Sequence, residues 1–152
     1  MTGTLRLQNR CRGRGPSLVQ FRRIATAALE QLAGSSSYDL TVAFLGAEAM
    51  AKVNLNFLRH AGPADVITFD YGDGARSASP SSLQGEILIC PDVAHRQAAE
   101  FGTTVMAEMA RYFVHAILHL QGYDDTTAPE RKRMKKIENK VATDLVRRFH
   151  LV

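Results

Sequence analysis

Phe113 to Asp125 reads FVHAILHLQGYDD. Its periodicity predicts a helix that extends back to Thr103. At about 100° per residue, Val105, Met109, Phe113, Ala116, Ile117 and Leu120 form one apolar stripe, while Glu108, Arg111, His115 and His119 cluster on the other side. Two imidazoles four positions apart on one helix face stand about 5–6 Å apart at Cβ, close enough to share a metal ion. That spacing alone is not rare. The residues after His119 add weight: Gly122 can end the helix in a left-handed turn, and the returning chain then presents Asp124 and Asp125. His115, His119 and Asp125 would make a three-ligand site with an open position, the arrangement catalytic zinc requires.

Outward from this stretch, Pro129 to Phe149 continues the helical half. Upstream, Leu40–Leu45 (LTVAFL), Asp65–Phe69 (DVITF) and Glu86–Cys90 (EILIC) are short apolar runs that read as strands, and TLRLQ near the start alternates as an edge strand does. Leu18–Leu32 and Ala47–Leu58 carry helical spacing. Gly72–Gly85, rich in Gly, Ser and Pro, reads as a surface loop. The order β α β α β β α α α predicts an α+β (mixed α/β) fold, with one small mixed four-stranded sheet packed by helices. A length of 152 residues with 45% apolar and 22% charged side chains fits a single domain over 1–152.

No apolar run approaches the roughly 18–20 residues of a bilayer span, so no membrane role is expected. The arginines of the N-terminus have no apolar segment behind them and do not read as a secretory signal. Cys11 and Cys90 lack CxxC spacing, which favours a reducing, cytoplasmic setting, and Cys90 reads as a small buried hydrophobe. The net charge of +4 is unevenly spread. Residues 1–29 hold six arginines and no acid, and residues 130–152 hold eight bases against three acids, leaving the middle acidic. Basic ends could grip a phosphate backbone while the centre holds a cation; solvated helix faces are the plainer account.

HAILHLQGYDD resembles the HGxLHLxGYDH signature of the YbeY endoribonucleases. Leu55–Phe69 (LNFLRHAGPADVITF) resembles that family's LNxxYRGKxxPTDVLSF, Gly85–Ala98 its GDIVI segment, and Arg131–Val146, with Met134 and Glu138, its last helix. The resemblance spans residues 38 to 148 in the family's order. It implies a metal-dependent endoribonuclease, with zinc or another divalent ion, that acts on single-stranded RNA in ribosomal RNA maturation, with RNA and the ribosome as cytoplasmic partners. It also carries the family's functional arginine onto Arg59, which would neutralise charge developing on phosphate. The chain departs from the pattern in three ways: Asp125 replaces the third histidine, Ala116 replaces a glycine, and the loop at Arg59 is about two residues shorter. A carboxylate ligand lowers the charge at the ion by one unit and makes harder metals more competitive.

The same residues also match the HExxHxxGxxD spacing of zincin metalloproteases. There the residue after the first histidine is the glutamate that takes a proton from the attacking water, and here it is Ala116. A non-haem iron oxygenase shares the ligand types but not the short helical spacing. A ribosome-associated RNA-binding protein with weakened hydrolysis is the non-enzyme alternative. As general base, Asp124 and Glu108 are the nearby carboxylates; the oligomeric state is not legible.

Overall fold

The computed structural model describes residues 3–13, 15–34, 36–59, 61–72 and 82–152. Its elements follow the expected order: β1 (Gly3–Asn9), α1 (Leu18–Ala33), β2 (Ser37–Phe44), α2 (Ala47–Val53), a π-helical turn (Asn54–Leu58), β3 (Val66–Asp70), β4 (Ser82–Ile89), α3 (Pro91–Phe101), α4 (Val105–Leu120) and α5 (Ala128–Phe149). The strands form one mixed sheet in the order β1-β2-β4-β3. β1, β2 and β4 run parallel, and β3 is an antiparallel edge. Among the described residues no helix is long and apolar enough to cross a membrane.

Alternation along the strands divides the interior. Leu40, Val42 and Phe44 of β2 and Leu83, Ile87 and Ile89 of β4 face a large core shared with α1, α4 and α5. Ala43, Leu45, Leu88 and Cys90 turn to the other face and pack against Met50 of α2. At the centre of the large core, Phe21 makes edge-to-face contacts with Phe44 at 5.0 Å and Phe113 at 5.6 Å. Each such pair adds about 0.5–1.5 kcal/mol beyond its burial. α4 is the hub, touching α1, α3, α5, β3 and β4.

Two elements depart from expectation. β4 begins at Ser82, inside the segment read as a loop, because it is paired on both sides: Ser37 to Leu40 of β2 lie opposite Ser82 to Gly85, and Asp70 of β3 lies opposite Gly85. Ladder bonds from two neighbours override a loop-like composition. Residues 73–81 of that segment lie outside the described residues. The Ala47–Leu58 helix widens at its end into the π-helical turn, closed by Arg59 with φ 58°.

Gly85 fixes how close α4 comes to the sheet. A Cβ there would lie 2.5 Å from the Phe69 carbonyl oxygen and 3.1 Å from Leu120 Cδ2. Only glycine lets the last turn of α4, which carries His119, rest on the β3–β4 pair.

Candidate metal centre

α4 ends where the sequence predicts. Gly122 adopts φ 97°; its N–H donates to the His119 carbonyl at 3.0 Å, and the Tyr123 N–H to the Leu118 carbonyl at 3.0 Å. This paired Schellman closure reverses the chain and returns Asp125 over the helix end. Arg131 holds the returning loop, donating to the carbonyls of Asp125 and Thr126 at 3.3 and 3.2 Å. Thr127 caps α5 by accepting from the Glu130 N–H at 3.3 Å.

His115, His119 and Asp125 come together, each offering a ligand atom within 4.8 Å of the others. The two Nε2 atoms are 3.1 Å apart, and Asp125 Oδ2 is 3.7 Å from His119 Nε2. The opposite ring nitrogens settle the tautomers. His115 Nδ1 lies 2.6 Å from Glu138 Oε1, and His119 Nδ1 lies 3.2 Å from the Tyr123 carbonyl oxygen. A carboxylate and a carbonyl can only accept, so both Nδ1 atoms carry hydrogen, and in the neutral rings a metal requires both Nε2 atoms present lone pairs. Two lone pairs at this separation repel unless a cation lies between them. Ligand nitrogens about 2.0–2.1 Å from a tetrahedral zinc stand roughly 3.3 Å apart, so the donor set fits a divalent ion. Burial, then the neighbouring His115, lowers the His119 pKa below its ordinary value, which favours the neutral ring a metal needs.

Glu138 enters the sequence reading only as part of a resembling helix, and its role comes from the structure. It is 3% exposed on the α5 stripe of Met134, Val141, Ala142 and Leu145. Burial pushes its carboxyl up, but the hydrogen bond and charge of His115, with those of Lys135, outweigh this and bring it down to about 2. Arg111 and Lys135 also pair with it, at 3.0 and 3.1 Å. A carboxylate behind a ligating histidine fixes the ring and raises its basicity. The sequence signal is a lone acid at a core position, four after Met134 and three before Val141.

The other candidates separate. Arg59 is exposed and joins no ligand atom, but it follows Leu58, which lines a cleft with His115, His119 and the β3 edge. Buried Asn54 ties this turn down, donating to the Gly62 carbonyl at 2.8 Å, and the Arg59 N–H closes the turn on the Asn54 carbonyl. Asp124 is spent on its own loop, accepting from the Asp125 N–H at 2.7 Å and the Thr126 hydroxyl at 3.3 Å. Glu108 lines a cavity beside His115. Cys90 is fully buried and its thiol is pushed up mainly by burial, as for an inert core residue. Ala116 is also fully buried, so nothing at its position could serve the zincin chemistry. On the far side of His115, a cleft bordered by Asp125 carries Arg131, Lys132 and Lys135.

Comparison with known proteins gives the family. A family model described as Endoribonuclease YbeY matches residues 16–146. The endoribonuclease YbeY of Chlorobium luteolum is 30% identical over 143 residues, 94% of this chain and 98% of that one. That of Thiobacillus denitrificans is 35% identical over 136 residues, covering 90% and 84%, and that of Frankia alni 34% over 130 residues, covering 81% and 72%. The solution structure of TM1509 from Thermotoga maritima matches 97% of this chain and 92% of its own with a TM-score of 0.66 at 23% identity, a likeness of fold. With a model match over most of its length and relatives at this identity and coverage, the chain belongs to the endoribonuclease YbeY family.

Proposed function

We propose that this chain is a metal-dependent endoribonuclease that cuts single-stranded RNA at a phosphate held over His115, His119 and Asp125. The observation that carries the reading is the pair of Nε2 atoms facing each other at 3.1 Å beside Asp125, next to a cleft bearing three basic side chains. A divalent ion held by these residues supplies Lewis acidity towards a phosphoryl oxygen and an acidified water. Zinc is our assignment, and the carboxylate ligand leaves room for harder ions. Glu138 and the Tyr123 carbonyl hold the two rings with Nε2 inward. Arg131, Lys132 and Lys135 hold the backbone entering from the α5 side, and Arg59, which follows Leu58 of the cleft along the β3 edge, offsets charge gathering on the phosphate. Ribosomal RNA as substrate, association with the ribosome and a cytoplasmic location complete the reading.

The test incubates structured ribosomal RNA, and separately unfolded casein, with wild-type and His119→Ala protein, with and without chelator. RNA is expected to be cut by the wild type alone and only without chelator, while casein stays intact. RNA cutting that persists in the variant points to a contaminating nuclease and overturns the assignment. Elemental analysis of untagged protein should find one divalent transition ion per chain.

A further inference from the structure

A cavity of about 600 Å³ runs from His115 along α4, bounded by α3, α5 and the chain entering β3. Glu108 sets its chemistry. The residue is only 7% exposed, yet its carboxylate has no hydrogen-bond or ion-pair partner among the described residues, and its oxygens remain open to the cavity rather than sealed in the core. A ligand donor entering the cavity would take the place of the water these oxygens meet. Gln97 lines the same space; its side-chain oxygen accepts from the Tyr112 hydroxyl, which leaves its amide N–H groups to donate.

Glu108 stands seven residues before His115, two helical turns on the same face and about 10.5 Å along the axis. That is the reach of one nucleoside from its phosphate to the far edge of its base. Asp65, Glu108 and Glu138 line this cavity beside Arg111 and Lys135, so acids slightly outnumber bases, whereas Arg131, Lys132 and Lys135 outnumber the acids of the cleft beyond His115 and offer a phosphate the better side. A neutral base meets no such bias. We infer that the cavity takes the nucleobase next to the scissile phosphate and that Glu108 selects guanine, an inference that rests on the RNA-cleaving reading above. A carboxylate is acceptor-only with two oxygens. Guanine alone among the four bases offers it two adjacent donors, N1–H and the N2 amino group, with O6 alongside as acceptor for an amide N–H. Unpaired RNA bases are commonly read on this edge.

The test titrates the purified full chain with the 5′-monophosphates of guanosine, inosine, adenosine, cytidine and uridine, and maps cleavage on an unstructured RNA containing every dinucleotide. Guanosine monophosphate should bind roughly 5- to 100-fold more tightly than the inosine form, which lacks the N2 amino group, as expected for one bidentate pair. Glu108→Gln should erase that difference and level the cleavage map. Equal affinities in the wild type, or a guanine preference surviving in Glu108→Gln, overturns the proposal; so does loss of cleavage at all dinucleotides alike, which marks Glu108 as a general base. Tighter binding of spermidine than of the nucleotide would make this a cation site and overturn it too. Thr143→Tyr, at the exposed rim, is the second variant. It should block guanosine monophosphate and leave zinc binding intact, and unchanged nucleotide binding there counts against the cavity. Guanine preference without RNA cleavage defeats the functional reading alone, whereas cleavage with no base preference defeats the cavity alone.

Discussion

Glu138 governs how His115 faces the candidate metal site, because its Oε1 takes the Nδ1 hydrogen at 2.6 Å and leaves Nε2 turned towards His119 and Asp125. Glu138→Ala should therefore weaken zinc binding about 10- to 100-fold, the usual cost of losing a partner behind a ligating histidine, as read by competition with a chelator. Asp125→Ala should weaken binding as well, and Asp125→His should raise affinity for softer metals; unchanged affinity in Asp125→Ala would remove the carboxylate from the ligand set. The same side chains set how the metal-free protein responds to acid. The His119 pKa lies below its ordinary 6.5, held there by burial and His115. The unfolded chain then binds a proton that the folded chain resists, so stability falls as pH drops below about 6.5. Glu138 acts in a lower window: with its pKa brought from 4.5 to about 2, the stability it contributes is present above 4.5 and fades as pH falls towards 2. Melting curves of metal-free protein between pH 7.5 and 5 should show the first effect, and His119→Gln should flatten it.

Helix α4 reaches the site only because Gly85 lets it sit against the sheet. Gly85→Ala puts a methyl 2.5 Å from the Phe69 carbonyl oxygen, a backbone atom that cannot swing aside. Overpacking of this kind costs about 1–3 kcal/mol, which lowers Tm by roughly 2–12 °C for a domain of this size. Because Leu120 follows His119 directly, zinc affinity should fall with Tm; a variant that melts as the wild type does would show that the sheet can absorb the methyl. Sequence reading found α1, α4 and α5 to within a few residues because their ends carry local chemistry: Ser17, Thr104 and Thr127 each accept a backbone N–H in the first turn, and Gly122 closes α4. It also singled out His115, His119 and Asp125, which the structure brings within 4.8 Å of one another, because their spacing is contained in one helix and its closure. It missed the first half of β4, which is held by partners distant in sequence, and the role of Glu138, which depends on α5 packing against α4. The π-helical turn was also hidden. Asn54 at its start bonds to Gly62, a contact that no local pattern announces.

Over the whole molecule, the basic ends of the chain lie on adjoining elements. α1 packs against α5, Arg23 and Arg148 both lie over the Phe149 ring, at 5.9 and 5.4 Å, and Gln31 donates to Asp144 at 3.2 Å. Among the described residues of the two basic ends, the start of α5, with Arg131, Lys132 and Lys135, borders the candidate metal site. Segment charge shows that bases are present, and packing decides which of them face the substrate. Arg131 and Lys135 also hold the loop and Glu138, so Lys132 is the clean probe of RNA contact. For single-stranded RNA, log affinity should fall linearly with log salt by about 0.7 per neutralised phosphate. Lys132→Glu should reduce that slope by about 0.7 and slow cleavage of a short oligonucleotide, with zinc content unchanged. Arg147→Glu, near the far end of α5, should leave the short substrate's slope as in the wild type. If the two variants shifted it equally, the protein would be acting on RNA through its overall field, and the cleft beside His115 would lose its place as the backbone track.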